Sequence, residues 1–134
     1  MTERLGGLEL ARRAAQLLDE RKLTDIAVYD VAKSLQITDY FVIASGLNPR
    51  HLRSASDHLV KSLRDAGLLR SGLEGYREGK WILIDFDEVV VHLFLEAERR
   101  HYDLELLWGD CPRVEIPGLG ARAAEAAAER ASGA

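Results

Sequence analysis

The 134-residue chain predicts an α/β fold: a single domain with one mixed β-sheet flanked by helices. Three observations lead there. Leu10, Ala14, Leu17 and Leu18 fall at i, i+4, i+7 and i+8, and a longer stripe of the same kind runs through Leu52, Ala55, Leu59, Leu63 and Ala66. Between these helices Tyr40-Phe41-Val42-Ile43-Ala44 is apolar at every position, which suits a central strand covered on both faces. Two β-rich runs, Trp81 to Asp85 and Val89 to Leu95, are separated only by Phe86-Asp87-Glu88 and read as a hairpin.

Taken in order, the first helix follows Gly6-Gly7 and closes at Arg21-Lys22, whose charges suit a helix C-terminus. Ile26 and Val28 then alternate with Asp25 and Ala27, the pattern of a half-buried strand ending near Asp30. Ser45-Gly46 terminates the apolar central strand. The second helix carries the clearest boundaries in the chain: Asn48 as N-cap, Pro49 at the first helical position, Gly67 just past the last turn. Leu73-Glu74-Gly75 reads as a short edge strand. Glu96 to Trp108 is helical in habit, with Asp103 a candidate break. From Pro112 onward the sequence is rich in Ala, Gly and Pro, with few large apolar groups. The expected domain is therefore 1–111, with 112–134 a mobile tail outside it.

Composition sets the class. Hydrophobic residues make up 47% and charged residues 30%, an ordinary soluble globular balance, and the net charge is −4. A broad nucleic-acid-binding surface would normally show the opposite sign. The single cysteine, Cys111, has no partner for a disulfide and no Cys/His cluster around it, which fits a reducing compartment. The charged start Met1-Thr2-Glu3-Arg4 leads into no signal-like apolar stretch, and no run approaches membrane-spanning length. The expectation is a cytoplasmic protein with no membrane contact.

The modest net charge conceals a division. From Pro49 to Lys80 there are seven bases against four acids; from Trp81 to Asp110 there are two bases against eight acids. The acidic segment also holds Trp81, Phe94, Tyr102 and Trp108. Aromatic rings among carboxylates are what a docking face for a basic protein needs, the rings anchoring the contact and the charges steering it. Charge alone does not establish such a face, because charged surfaces are usually just solvated.

One pattern has catalytic potential. Asp85 and Asp87, two residues apart, would share a strand face and could hold Mg²⁺ for nucleotidyl transfer, with the Ser45-Gly46 turn touching phosphate. The strand ends at Asp85, however, and Asp-rich turns are common between strands. No third carboxylate or phosphate-cradling motif accompanies the pair. His92 lies within a strand with no nucleophile placed beside it, and His51 and His58 are two helical turns apart. No enzyme signature remains, and no metal or cofactor is expected. A metal-dependent nucleotidyltransferase using Asp85 and Asp87 is the alternative reading.

The segments Ile37-Thr38-Asp39-Tyr40-Phe41-Val42-Ile43-Ala44-Ser45-Gly46, Arg50-His51, Trp81-Ile82-Leu83-Ile84-Asp85, Val89-Val90-Val91-His92-Leu93-Phe94 and Arg99-Arg100-His101-Tyr102-Asp103-Leu104-Glu105-Leu106-Leu107-Trp108 resemble, in register and order, the ribosomal silencing factor S (Iojap) family. The resemblance spans about Leu8 to Trp108. It implies a nucleotidyltransferase-like fold without the catalytic motifs, and binding to the large ribosomal subunit through its fourteenth ribosomal protein. It further implies a steric block on small-subunit joining, and homodimers off the ribosome. Where the family usually has Gly-Asp between the hairpin strands, this chain has Asp87-Glu88; aspartate tolerates the left-handed backbone such a turn needs. With the charge pattern, the resemblance points to Trp81, Val89, Val91, Phe94, Tyr102 and Trp108 as apolar contacts. Asp85, Asp87, Glu88 and Glu98 are the expected charge partners, and His92 a polar contact.

Overall fold

The computed structural model describes residues 6–35, 38–102 and 110–116. Four helices and six strands follow one another as α1 (Gly7–Glu20), β1 (Thr24–Asp30), α2 (Ala32–Leu35), β2 (Tyr40–Gly46), α3 (Pro49–Asp65), β3 (Gly72–Glu74), β4 (Trp81–Asp85), β5 (Val89–Leu95), α4 (Glu96–Tyr102) and β6 (Arg113–Val114). The strands form one mixed sheet in the order β3-β4-β5-β2-β1-β6. Only β2 and β5 run parallel; every other neighbouring pair is antiparallel.

The apolar run from Tyr40 becomes the inner strand β2, buried from Phe41 through Gly46. It extends two residues further than the sequence suggests, so Ser45 and Gly46 are paired with Phe94 and Leu95 rather than ending the strand. Gly46 is required there by packing: a Cβ at this position would collide with the Leu52 side chain of α3.

Helix α3 has the predicted ends. The Asn48 side-chain oxygen accepts the His51 backbone N–H at 2.8 Å, satisfying one of the free donors of the first turn. At the other end Gly67 adopts φ +88°, and the N–H groups of Leu68 and Gly67 donate back to the carbonyls of Leu63 and Arg64. Helix α1 closes in a similar way with Lys22 at φ 63°, a position where glycine is commoner.

Both long helices pack on one sheet face. Leu10, Leu17 and Leu18 of α1 and Leu52, Leu59 and Leu63 of α3 are buried against Val42, Ala44, Ile82, Ile84, Val91 and Leu93. A smaller cluster of Ala27, Tyr29, Val31, Phe41, Ile43 and Phe94 lies on the opposite face.

Two features depart from the sequence reading. Helix α2 is a single turn, too short to carry a period. The boundary after Cys111 also moves: Arg113 and Val114 pair with Tyr29 and Val28, and Ile116 is buried with the main core. The Asp30 N–H donates to the Pro112 carbonyl at 2.8 Å, so residues 112–116 close the sheet edge instead of leaving the domain. Residues 117–134 and the second half of the predicted Glu96–Trp108 helix lie outside the described residues.

Candidate functional site: the aromatic face of the sheet

Strand alternation and register decide which side chains face away from α1 and α3. Trp81 pairs with Phe94, Leu83 with His92 and Asp85 with Val90, so these six share the face opposite the helices. Their neighbours Ile82, Ile84, Val89, Val91 and Leu93 point to the helix side and are fully buried there.

Trp81, His92 and Phe94 build, with Phe41 of β2, a compact aromatic unit. The rings of Trp81 and Phe94 stack with centroids 4.8 Å apart, and the Trp81 indole N–H donates to His92 Nδ1 at 3.2 Å. Phe41 meets the His92 ring edge-on at 4.7 Å. Because Nδ1 accepts, the neutral imidazole carries its proton on Nε2, which has no hydrogen-bond partner among the described residues. Burial pushes the His92 pKa down to about 4, so the ring is neutral at physiological pH. Toward β3 the face becomes accessible: Trp81, Leu83, Asp85 and Val90 are half-buried, and Glu74 and Asp87 are exposed.

The loop between β4 and β5 is held by its own carboxylates. Asp87 adopts φ 70°, the left-handed conformation expected of the residue standing in the family's glycine position. Its N–H donates to Asp85 Oδ1 at 2.8 Å, and its carboxylate accepts the Ser71 hydroxyl at 3.0 Å. The Ser71 N–H donates to the Asp85 carbonyl at 2.7 Å, tying the edge strand to the turn. These bonds account for Asp85 and Asp87 as turn chemistry. Among the described residues no group of three or more His, Cys, Asp or Glu is placed to hold a metal ion.

Of the residues expected at the site, the structure brings together Trp81, Asp85, Asp87, Glu88 and His92 on or beside one face. Glu98 lies half-buried on α4, which packs against β5 and β2. Val89, Val91, Phe94 and His92 are corrected as direct contacts: each is buried, the two valines on the helix side, Phe94 against the Trp81 ring and His92 with its Nδ1 taken up by the indole. The Tyr102 side chain and Trp108 lie outside the described residues. Leu83 and Val90, not expected as contacts, are half-buried on the same face. Their signal was parity: they alternate with Ile82, Ile84, Val89 and Val91, and share a face with the polar His92.

Arg99 is a residue that local sequence gives no reason to select. Its Nη1 donates to the Asp25 carbonyl at 2.6 Å and to the buried Ser45 hydroxyl at 2.9 Å, fastening α4 across β1 and β2. Asp25 sits at φ 49° beside an irregularity in the β1–β2 register, which turns its carbonyl toward the guanidinium. A concavity of about 550 Å³ lies over this contact, bordered by Glu96, Arg100 and Arg113.

Comparison with known proteins agrees with this fold. Residues 6–134 match the family model described as "Ribosomal silencing factor during starvation". The chain is 35% identical over 111 residues to the ribosomal silencing factor RsfS of Halalkalibacterium halodurans, covering 83% of this chain and 95% of that protein. It is 37% identical over 95 residues to the mouse protein named "Mitochondrial assembly of ribosomal large subunit protein 1", covering 69% of this chain and 42% of that one. A crystal structure of a Chromobacterium violaceum protein superposes with a TM-score of 0.76 at 30% identity, over 86% of this chain and 92% of its own. No helix among the described residues is long and apolar enough to cross a membrane. The chain belongs to the ribosomal silencing factor (RsfS) family.

Proposed function

We propose that this chain represses translation in the cytoplasm by binding the large ribosomal subunit through its fourteenth ribosomal protein. Bound there, it sterically blocks joining of the small subunit. The observation that carries the reading is the half-buried Trp81, stacked on Phe94 and bonded to His92, with Asp85 at the far end of the same strand and Asp87 and Glu88 in the turn beyond it. A ribosomal protein is typically basic, so a rim of carboxylates steers its approach while the indole, Leu83 and Val90 supply the apolar contact. A block of this kind needs an occluding surface and no turnover. Glu98, Tyr102 and Trp108 extend the proposed face, and Val89, Val91 and Phe94 support it from beneath. The aliphatic strip around Leu83 and Val90 also supports self-association as a homodimer off the ribosome, read by sedimentation equilibrium.

The test is sedimentation with isolated large subunits, followed by addition of small subunits and gradient analysis. The chain pellets with large subunits and lowers the yield of joined ribosomes. Trp81→Ala weakens binding by about 2–4 kcal/mol, the range for a central anchor. Wild-type affinity in a folded Trp81→Ala protein overturns the assignment of the face, and unaltered joining with the chain bound overturns the block. Hydrolysis or transfer of a nucleotide with Mg²⁺, abolished in Asp85→Asn, would restore the enzyme reading.

A further inference from the structure

The opposite side of the molecule carries a second surface that the docking face leaves unused. Helix α3 buries Leu52, Ala55, Leu59 and Leu63 against the sheet, so its other side faces solvent. On that side Arg50, Arg53, Lys61 and Arg64 recur at offsets of 3, 11 and 14 residues, a basic line about 21 Å long at 1.5 Å per residue. A shallow groove of about 430 Å³ runs along its first half, with Arg21 from the end of α1 on its far wall.

The acids nearby are already engaged. Both oxygens of Asp57 accept the Tyr76 hydroxyl, at 2.9 and 3.0 Å. Asp65 is bound by Lys61 at 2.8 Å, and Glu20 by His58 at 2.8 Å. Arg50 and Arg64, by contrast, have no ion-pair partner among the described residues.

We propose that this solvent face of α3 is a phosphate-binding strip that lies along the backbone of a structured RNA. Two features favour RNA over an acidic protein. The groove is lined by Arg21, Arg50, Arg53, Ser54, Asp57, His58 and Lys61, with no purely hydrocarbon side chain among them. Protein partners are held chiefly by buried apolar anchors, whereas a phosphate backbone asks only for cations and hydrogen-bond donors. The strip is local: on a chain of net charge −4 it gives weak binding by itself and adds avidity beside another contact. Ribosomes present RNA over much of their surface, which is consistent with the family. The inference does not depend on the aromatic face.

The experiment measures fluorescence anisotropy of a labelled RNA duplex against the full chain, at salt between roughly 50 and 200 mM. The intact chain binds, and affinity falls steeply with salt. The triple variant Arg50→Gln/Lys61→Gln/Arg64→Gln, checked for an unchanged urea transition, loses about tenfold or more in affinity at low salt. Its log–log salt slope is shallower by about 2–3, as expected for three lost phosphate contacts. Trp81→Ala binds the duplex like the intact chain, which separates this strip from the docking face. The proposal is overturned if the intact chain shows no binding at low salt, or if the triple variant matches it. Displacement of the duplex by polyglutamate at equal charge concentration would overturn it too, in favour of an acidic protein partner.

Discussion

Acidification should weaken this fold through His92, and the structure gives the size of the effect. The imidazole is 4% exposed, packed between Phe41 and Phe94, with Nδ1 accepting from Trp81. Its pKa in the fold is about 4, against 6.5 for the free side chain. The folded pKa is depressed, so in the interval between the two values the unfolded chain binds a proton that the folded chain refuses. Stability is therefore fully present above pH 6.5 and is lost as pH falls toward 4. The full difference amounts to about 3 kcal/mol, of which about 2 kcal/mol is gone by pH 5. Urea unfolding of the intact chain and of His92→Gln, each followed from pH 7.5 to 4.5, isolates this contribution from the other histidines and the carboxylates. The gap between the two proteins should change by about 2 kcal/mol between pH 7.5 and 5, with His92→Gln the less pH-sensitive. In the folded chain the ring stays neutral until the pH nears 4, so the Trp81 indole keeps its acceptor over most of this interval and the docking proposed for that face should be little changed down to about pH 5. Parallel pH profiles for the two proteins would refute the reasoning, as would an NMR titration of the His92 ring centred near 6.5.

Three further outcomes follow from contacts at the edges of the site. Asn48→Ala should lower the unfolding free energy by about 1 kcal/mol in urea titrations, because the His51 N–H loses its cap. Asp87→Gly should stay within about 0.5 kcal/mol of the parent, since glycine accepts φ 70° freely and offsets the lost Ser71 bond; Asp87→Val should cost about 1–2 kcal/mol by the same measurement. Arg99→Ala should cost about 1–3 kcal/mol and raise amide hydrogen exchange in α4, because the Asp25 carbonyl and the Ser45 hydroxyl both lose their donor.

The parts of this fold that could be read from sequence are those specified locally. Helix α3 announces itself through Asn48, Pro49, Gly67 and a five-member apolar stripe, and the hairpin through two β-rich runs joined by a short acidic turn. Phe41 to Ala44 is apolar on both faces because β2 sits between β5 and β1 and has helices on one side and the aromatic cluster on the other. The candidate face was legible in Trp81, Asp85 and Asp87, and illegible in the burial of His92 and in which valines face outward. Val89-Val90-Val91 is apolar at every position; parity with His92 and the register with β4 group Val90 with Trp81, and only the packing of α1 and α3 shows that Val89 and Val91 face inward. Strand β6 was missed for a different reason. Two residues carry no period, and their place depends on Tyr29 and Val28, more than eighty positions earlier. The Arg99 anchor reaches back 74 residues to a carbonyl exposed by a kinked backbone, and nothing near Arg99 in the chain encodes it.

The pairing of Trp81 with His92 explains why a tryptophan suits this position better than another large apolar residue. An indole buried against a partner must find an acceptor for its N–H or lose a hydrogen bond on binding. Here the acceptor is internal: His92 Nδ1 holds the N–H at 3.2 Å, and the stack on Phe94 fixes the ring plane. For the docking proposed here the ring would meet a partner already oriented, with little rotamer entropy left to lose and no polar demand on the apolar part of the partner's surface. The same reasoning accounts for Phe94 lying wholly inside. Stacked against the indole it would do more for the proposed docking than as an exposed contact, because a rigid anchor loses less on binding than a second mobile one. Burial of Val89, Val91 and Phe94 is thus compatible with a docking surface at this face, which needs one oriented ring and a charged rim rather than a broad apolar patch.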